Sequence, residues 1–160
     1  MSKKILTAYY SHSGNTGEIA SYIQKQTNGA LFEIIPAVPY PTGYNDVVRQ
    51  AKIEIQSGKK PELKTKINDT ESYDIIFVGS PNWWGTIAPP VAAFLSEHDF
   101  SAKTIVPFCT HGGGGYGSIF KDISLLCPNS NILEGFEVFG KGNGNISEKI
   151  NLWLNEIGIK

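Results

Sequence analysis

No apolar run in this 160-residue sequence approaches the ~20 residues that a membrane-spanning helix requires. The N-terminus, MSKKILTAYY, also lacks the long apolar segment of an export signal. A cytoplasmic protein without a membrane partner is therefore expected. Charge of one sign is missing too: 14 Lys and Arg stand against 15 Asp and Glu, a net charge of −1. Bulk charge gives no attraction to nucleic acid or to an anionic surface, and no nucleic-acid partner is expected. The pairs Lys3-Lys4 and Lys59-Lys60 read as solvated surface. Only two cysteines are present, Cys109 and Cys127, at a spacing that matches neither a zinc site nor a CxxC redox motif. They read as reduced, largely buried thiols. The three histidines, His12, His98 and His111, show no ligand spacing, so no metal is expected.

What is present is an ordinary globular composition, 41% hydrophobic and 18% charged, which places the whole chain in one folded domain, residues 1–160. Short β-rich apolar runs alternate with segments of helical spacing. Residues 5–10, 31–35, 75–79 and 104–108 read as strands, and a last strand lies within 132–139. Helices are expected from about Thr16, over 44–56 with Gly58 as the stop, around 89–95, around 118–126, and at the C-terminus. In that last helix Ile146, Ile150, Trp153, Leu154 and Ile157 share one face. Strands that read as continuous apolar runs are buried on both faces, which in an alternating chain means a parallel sheet covered by helices. The expected architecture is α/β: a three-layer sandwich with a five-stranded parallel sheet in the order 2-1-3-4-5.

In such sheets ligands bind beyond the carboxyl ends of the strands, where the strand order reverses. The loops after the first, third and fourth strands meet there. The first is Ser11-His12-Ser13-Gly14-Asn15-Thr16. Hydroxyls, an amide and a glycine before a helix start make a neutral-donor cradle for a phosphate monoester, although helix capping alone also uses such residues. The pattern is neither a dinucleotide fingerprint nor an NTPase loop. The second loop, Pro81-Asn82-Trp83-Trp84-Gly85-Thr86, carries two adjacent tryptophans. Consecutive side chains diverge, so at least one ring can serve as a platform for a flat ligand. The third, Thr110-His111-Gly112-Gly113-Gly114-Gly115-Tyr116-Gly117-Ser118, has four consecutive glycines and another aromatic. Glycines cost conformational entropy, and backbone passing close to a ligand would account for them. Together the loops suit a flat aromatic ring joined to a phosphate.

Taken in this order, the three loops resemble those of flavodoxins. Ser-His-Ser-Gly-Asn-Thr is similar to the flavodoxin phosphate loop. Pro-Asn-Trp-Trp-Gly and Thr-His-Gly-Gly-Gly-Gly are similar to the two ring-binding loops of a bacterial flavodoxin-like subfamily, as is Tyr40-Pro41-x-x-Tyr44 followed by Ala51-Lys52-x-Glu54. The resemblance implies non-covalent FMN, with Ser11 to Thr16 at the phosphate and the other two loops around the ring. It implies that a peptide beside Trp84 or Gly85 turns over on reduction. It also implies an electron carrier that meets redox partner proteins transiently, with no catalytic residue of its own. A monomer or a homodimer would serve. An FMN-dependent NAD(P)H:quinone oxidoreductase is the alternative, with His111 as a proton donor, because the same fold hosts such enzymes. The three loops contain no Asp or Glu, unlike the acidic surroundings usual in carrier flavodoxins. A neutral pocket opposes an anionic reduced ring less, so a less negative final reduction potential is expected.

Overall fold

The computed structural model describes residues 3–160. Three strands form the centre of the sheet: β1 (Ile5–Tyr9), β3 (Ile75–Trp83) and β5 (Thr104–His111). Their sequences, ILTAY, IIFVGSPNW and TIVPFCTH, are rich in β-branched and aromatic residues and are buried on both faces over most of their length. The flanking strands β2 (Ala30–Glu33) and β7 (Phe136–Phe139) are half-buried at alternate positions, as edge strands should be.

The parallel order is β2-β1-β3-β5, with the fifth position shared by β6 (Asn131–Ile132) and β7, both paired with β5. A two-residue strand, β4 (Thr86–Ile87), folds back antiparallel on the end of β3. Among the described residues the sheet therefore has seven strands rather than the expected five, in the expected order. The edge strand is broken between Ile132 and Phe136, where Gly135 crosses the Phe120 ring. A Cβ there would lie 2.6 Å from Phe120 Cζ. The extra hairpin strand arises because β3 runs four residues past its apolar core.

Helices cover both faces. α1 (Asn15–Thr27) and α5 (Ile146–Glu156) pack Ile19, Ile23, Ile150 and Leu154 against Phe77, Val106 and Phe108. On the other side, α2 (Tyr44–Ser57), α3 (Pro89–Glu97) and α4 (Ile119–Leu126) bring Val47, Val91, Phe94 and Ile123 to Leu6, Ile76, Val78 and Ile105. Along β3, Ile76 and Val78 face one layer and Phe77 the other, the alternation a pleated strand imposes. Two prolines open α3, where a missing N–H costs nothing, and Gly58 at φ 70 closes α2. Among the described residues, no helix is long and apolar enough to cross a membrane.

Both cysteines are buried and unpaired. Burial, with the charge of Glu137 adding to it, pushes the Cys109 thiol up to about 12; burial alone pushes Cys127 up to about 11. Burial also drives the Tyr10 and Tyr40 hydroxyls far above the usual tyrosine range, with Glu54 adding to both. In the unfolded chain these thiols ionise near 8.5 and the tyrosines near 10. Above those values the unfolded state sheds protons that the folded state retains, so stability falls as pH rises. The urea midpoint is expected to decline steadily from about pH 8.5 to pH 11. A flat midpoint across that window would contradict the burial of these groups.

Candidate functional site

The chain leaves β1 toward β2 and returns across the sheet to β3, so a crevice opens at the carboxyl ends of β1, β3 and β5. It holds a cavity of about 810 Å³, within the range of small-molecule sites.

One end of the cavity is built by the β1–α1 loop. Gly14 takes φ 99, and the Ser11 hydroxyl accepts the N–H groups of Gly14 and Gly17, each at 3.1 Å. That bend turns the start of α1 toward the cavity, where Ser13 and Asn15 line the wall. The N–H groups of Asn15 and Thr16 have no protein acceptor among the bonds of the described residues. With the partial positive charge of the helix N-terminus, they form a donor set suited to a phosphate. Thr16 itself is buried behind the wall, and its hydroxyl bonds that of Thr110 at 2.7 Å, tying α1 to the end of β5. His12 lies beside them, Nε2 3.2 Å from the Pro41 carbonyl.

The middle of the wall is aromatic. Trp83 stands edge-on to Tyr40 at 5.0 Å, Tyr10 at 5.5 Å and His12 at 5.9 Å. Tyr40 donates its hydroxyl to the buried Glu54 carboxylate at 2.5 Å, and Gln50 donates to the other oxygen at 3.1 Å. Trp84 and Gly85, at φ 57 and 80, form the two-residue turn between β3 and β4. Positive φ at both positions is the mirror-image turn that suits a hairpin's twist, and a tryptophan in the first of them costs roughly 1 kcal/mol. Trp84 is held there by its indole N–H on the Val48 carbonyl at 3.0 Å and by the Lys52 ammonium 5.2 Å over its ring.

Asn82 joins this turn to the glycine loop. Its Oδ1 accepts the Gly85 N–H and its Nδ2 donates to the Gly115 carbonyl, both at 2.8 Å. The Gly85 carbonyl in turn accepts the Ser118 N–H at 2.7 Å and the Ser118 hydroxyl at 2.9 Å. A turnover of the Trp84–Gly85 peptide would exchange the bond to Asn82. Gly117, at φ 51, touches the same turn so closely that a Cβ would lie 2.5 Å from the Gly85 oxygen. At the far end, His111 is 10% exposed, with Nδ1 accepting the Gly113 N–H at 3.0 Å. Its Nε2 lies 2.7 Å from Glu137 Oε2, a contact too bent to count as a hydrogen bond.

Of the residues singled out in the sequence, His12, Ser13, Asn15, Pro81, Asn82, Trp83, Trp84, Thr110, His111 and Gly112 line the cavity. Ser11, Gly14, Thr16, Gly85, Gly113, Gly114 and Gly117 shape the loops behind that lining. Tyr116 stands apart, half-exposed and stacked flat on Phe120 at 4.8 Å. The sequence reading missed Thr42, Tyr44, Val47, Val48 and Ala51, which α2 and its approach bring to the wall, and Phe139 and Gly140 after β7. The Tyr40-to-Glu54 motif was the available signal for Thr42 to Ala51, which lie within it; Phe139 and Gly140 had none. The carboxylates Glu54 and Glu137 stand one residue behind the wall, so the neutrality of the three loops does not extend to their surroundings.

Comparison with known proteins agrees with this architecture. A family model described as flavodoxin matches residues 4–157. A candidate flavoprotein of Bacteroides eggerthii is 30% identical, with a TM-score of 0.87 over 99% of each chain. A flavoprotein of Lactobacillus acidophilus, solved in complex with FMN, is 24% identical, with a TM-score of 0.76 over 92% of this chain and 98% of that one. A protein of Azorhizobium caulinodans named NAD(P)H dehydrogenase (quinone) is 26% identical, covering 91% of this chain and 76% of the relative.

Proposed function

The chain belongs to the flavodoxin family, and from that premise we propose that its cavity takes one FMN and that the protein carries electrons between redox enzymes. Bound FMN supplies one- and two-electron redox chemistry. The residues present fit it. Ser13, Asn15 and the unpaired N–H groups at the start of α1 would hold the phosphate. Trp83 and Trp84, with Asn82, Thr110 and Gly112, would flank the ring. Val47, Val48 and Ala51 give an apolar wall that would keep water from one side of the ring.

The observation that carries the carrier reading is the absence of carboxyl, ammonium, guanidinium and thiol groups among the described wall residues. The lining has no Asp, Glu, Lys, Arg or Cys. Both ring nitrogens of His111 face protein groups, and His12 Nε2 faces the Pro41 carbonyl. Such a wall is suited to holding a cofactor and offers few groups for proton transfer, chiefly His12 and the rim hydroxyl of Tyr44. The small net charge argues against strong electrostatic steering of partners.

A second reading is favoured by the relatives named NAD(P)H dehydrogenase (quinone), and by Tyr44, Trp84 and Phe139, which line the cavity and are exposed. These could receive a flat acceptor molecule beside FMN. Mixing the FMN-loaded protein with NADPH and a quinone separates the two. A carrier leaves NADPH unoxidised until a separate reductase is added. Rapid NADPH oxidation by the protein alone would overturn the carrier reading in favour of the enzyme.

A further inference from the structure

Glu137 has no part in the function proposed above, yet it is placed against a residue that lines the cavity. His111 ends β5, and Glu137 and Phe139 project from one side of the adjacent β7. Phe139 meets the His111 ring edge-on at 6.0 Å, and Glu137 Oε2 lies 2.7 Å from Nε2. The other nitrogen, Nδ1, accepts the Gly113 N–H at 3.0 Å. A ring nitrogen that accepts is unprotonated, so in the neutral imidazole the hydrogen sits on Nε2, beside the carboxylate but out of line with it, and Glu137 attracts it by charge rather than through an aligned hydrogen bond.

A side chain that accepts the N–H two residues onward makes the turn usually formed by Asn or Asp. Here an imidazole makes it. The turn sets the first bend of the glycine run, where Gly113 has φ 124. Glu137 also lies beneath the run, since a Cβ on Gly115 would be 3.8 Å from the same Oε2. Gly112, held between His111 and Gly113, is part of the cavity wall.

We propose that Glu137 and His111 are positioning residues. Glu137 holds the His111 ring with its hydrogen on Nε2, and Nδ1 then fixes Gly113, so that the Gly112–Gly115 run keeps the shape FMN requires. The proposal rests on the FMN reading above. It gives His111 no proton-donor role, because both of its nitrogens face the protein.

The test uses two readouts. The first is the protonation of the His111 nitrogens, read by long-range proton–nitrogen NMR on the FMN-free protein. The hydrogen is expected on Nε2, with Nδ1 bare; a protonated Nδ1 would overturn the lock whatever the cofactor does. The second is the FMN dissociation constant of four variants. H111L and E137L remove the acceptor and its support, and each is expected to weaken FMN about tenfold. H111N places an amide oxygen near the Nδ1 position and should recover most of that loss, as should E137Q relative to E137L. A proton donor would be lost equally in H111N and H111L, so equal damage in both would overturn the positioning role. Failure of the wild-type protein to bind FMN would overturn the cofactor reading and the purpose given to the lock. The NMR result would still report on the lock itself.

Discussion

Gly79→Ala is expected to cost about 3 kcal/mol of stability and to lower the melting temperature by about 10 °C. Gly79 pairs with Phe108 across the central strands β3 and β5, and the Phe108 ring lies directly over it. A Cβ would sit 2.2 Å from Phe108 Cζ. Phe108 is fully buried among Ile19, Phe77 and Val106, so its ring has nowhere to go without opening the sheet or lifting α1. The Gly79 carbonyl also accepts the Tyr10 N–H at 3.1 Å, at the point where β1 enters the phosphate loop. Strain there would reach the cavity, and a weaker FMN complex should accompany the lower melting temperature. A thermal scan settles it. A melting temperature within about 2 °C of the parent would contradict the glycine–aromatic pair.

Trp83→Ala should weaken FMN by about 1–3 kcal/mol, roughly five- to 150-fold in the dissociation constant, with a smaller loss of stability. Trp83 lines the cavity and is clasped edge-on by Tyr10, Tyr40 and His12, an arrangement that fixes its ring before any ligand arrives. The clasp is backed by the buried Glu54, whose two oxygens take the Tyr40 hydroxyl and the Gln50 amide. Trp84 is different. It is 53% exposed and held at the rim by Val48 and Lys52, so Trp84→Ala should cost less. Fluorescence titration of FMN into the two variants would check the order. Unchanged affinity in Trp83→Ala would move the ring contact to Trp84.

The fold was legible because its signal was strong and local. The runs beginning at Ile5, Ile75 and Thr104 are apolar and β-branched, and they became the three central strands. Their far ends were not legible. Ser80, Pro81, Cys109 and Thr110 read as loop, yet the ladder continues through Ser80–Cys109 and Pro81–Thr110. Central strands held by neighbours on both sides can extend through residues of poor strand propensity. The broken edge strand escaped notice for a related reason. Gly135 interrupts it because of the Phe120 ring, a contact between residues fifteen positions apart.

At the site, the three loops were found because their composition is unusual for connectors. The α2 wall was not, because Val47, Val48 and Ala51 have the helical spacing of any buried face. Glu54 stood in the Tyr40-to-Glu54 motif but, like Glu137, was not read as a neighbour of the cavity. Each is an ordinary charged residue in its own segment, and only the tertiary fold sets one behind Tyr40 and the other beside His111.

The most direct test of the central claim is a titration of the purified protein, stripped of any bound cofactor, with FMN, followed by its visible absorption spectrum. The expected result is tight one-to-one binding with flavin bands shifted from those of free FMN, as a buried aromatic ring requires. A spectrum unchanged from free FMN, with no binding at micromolar concentrations, would contradict it.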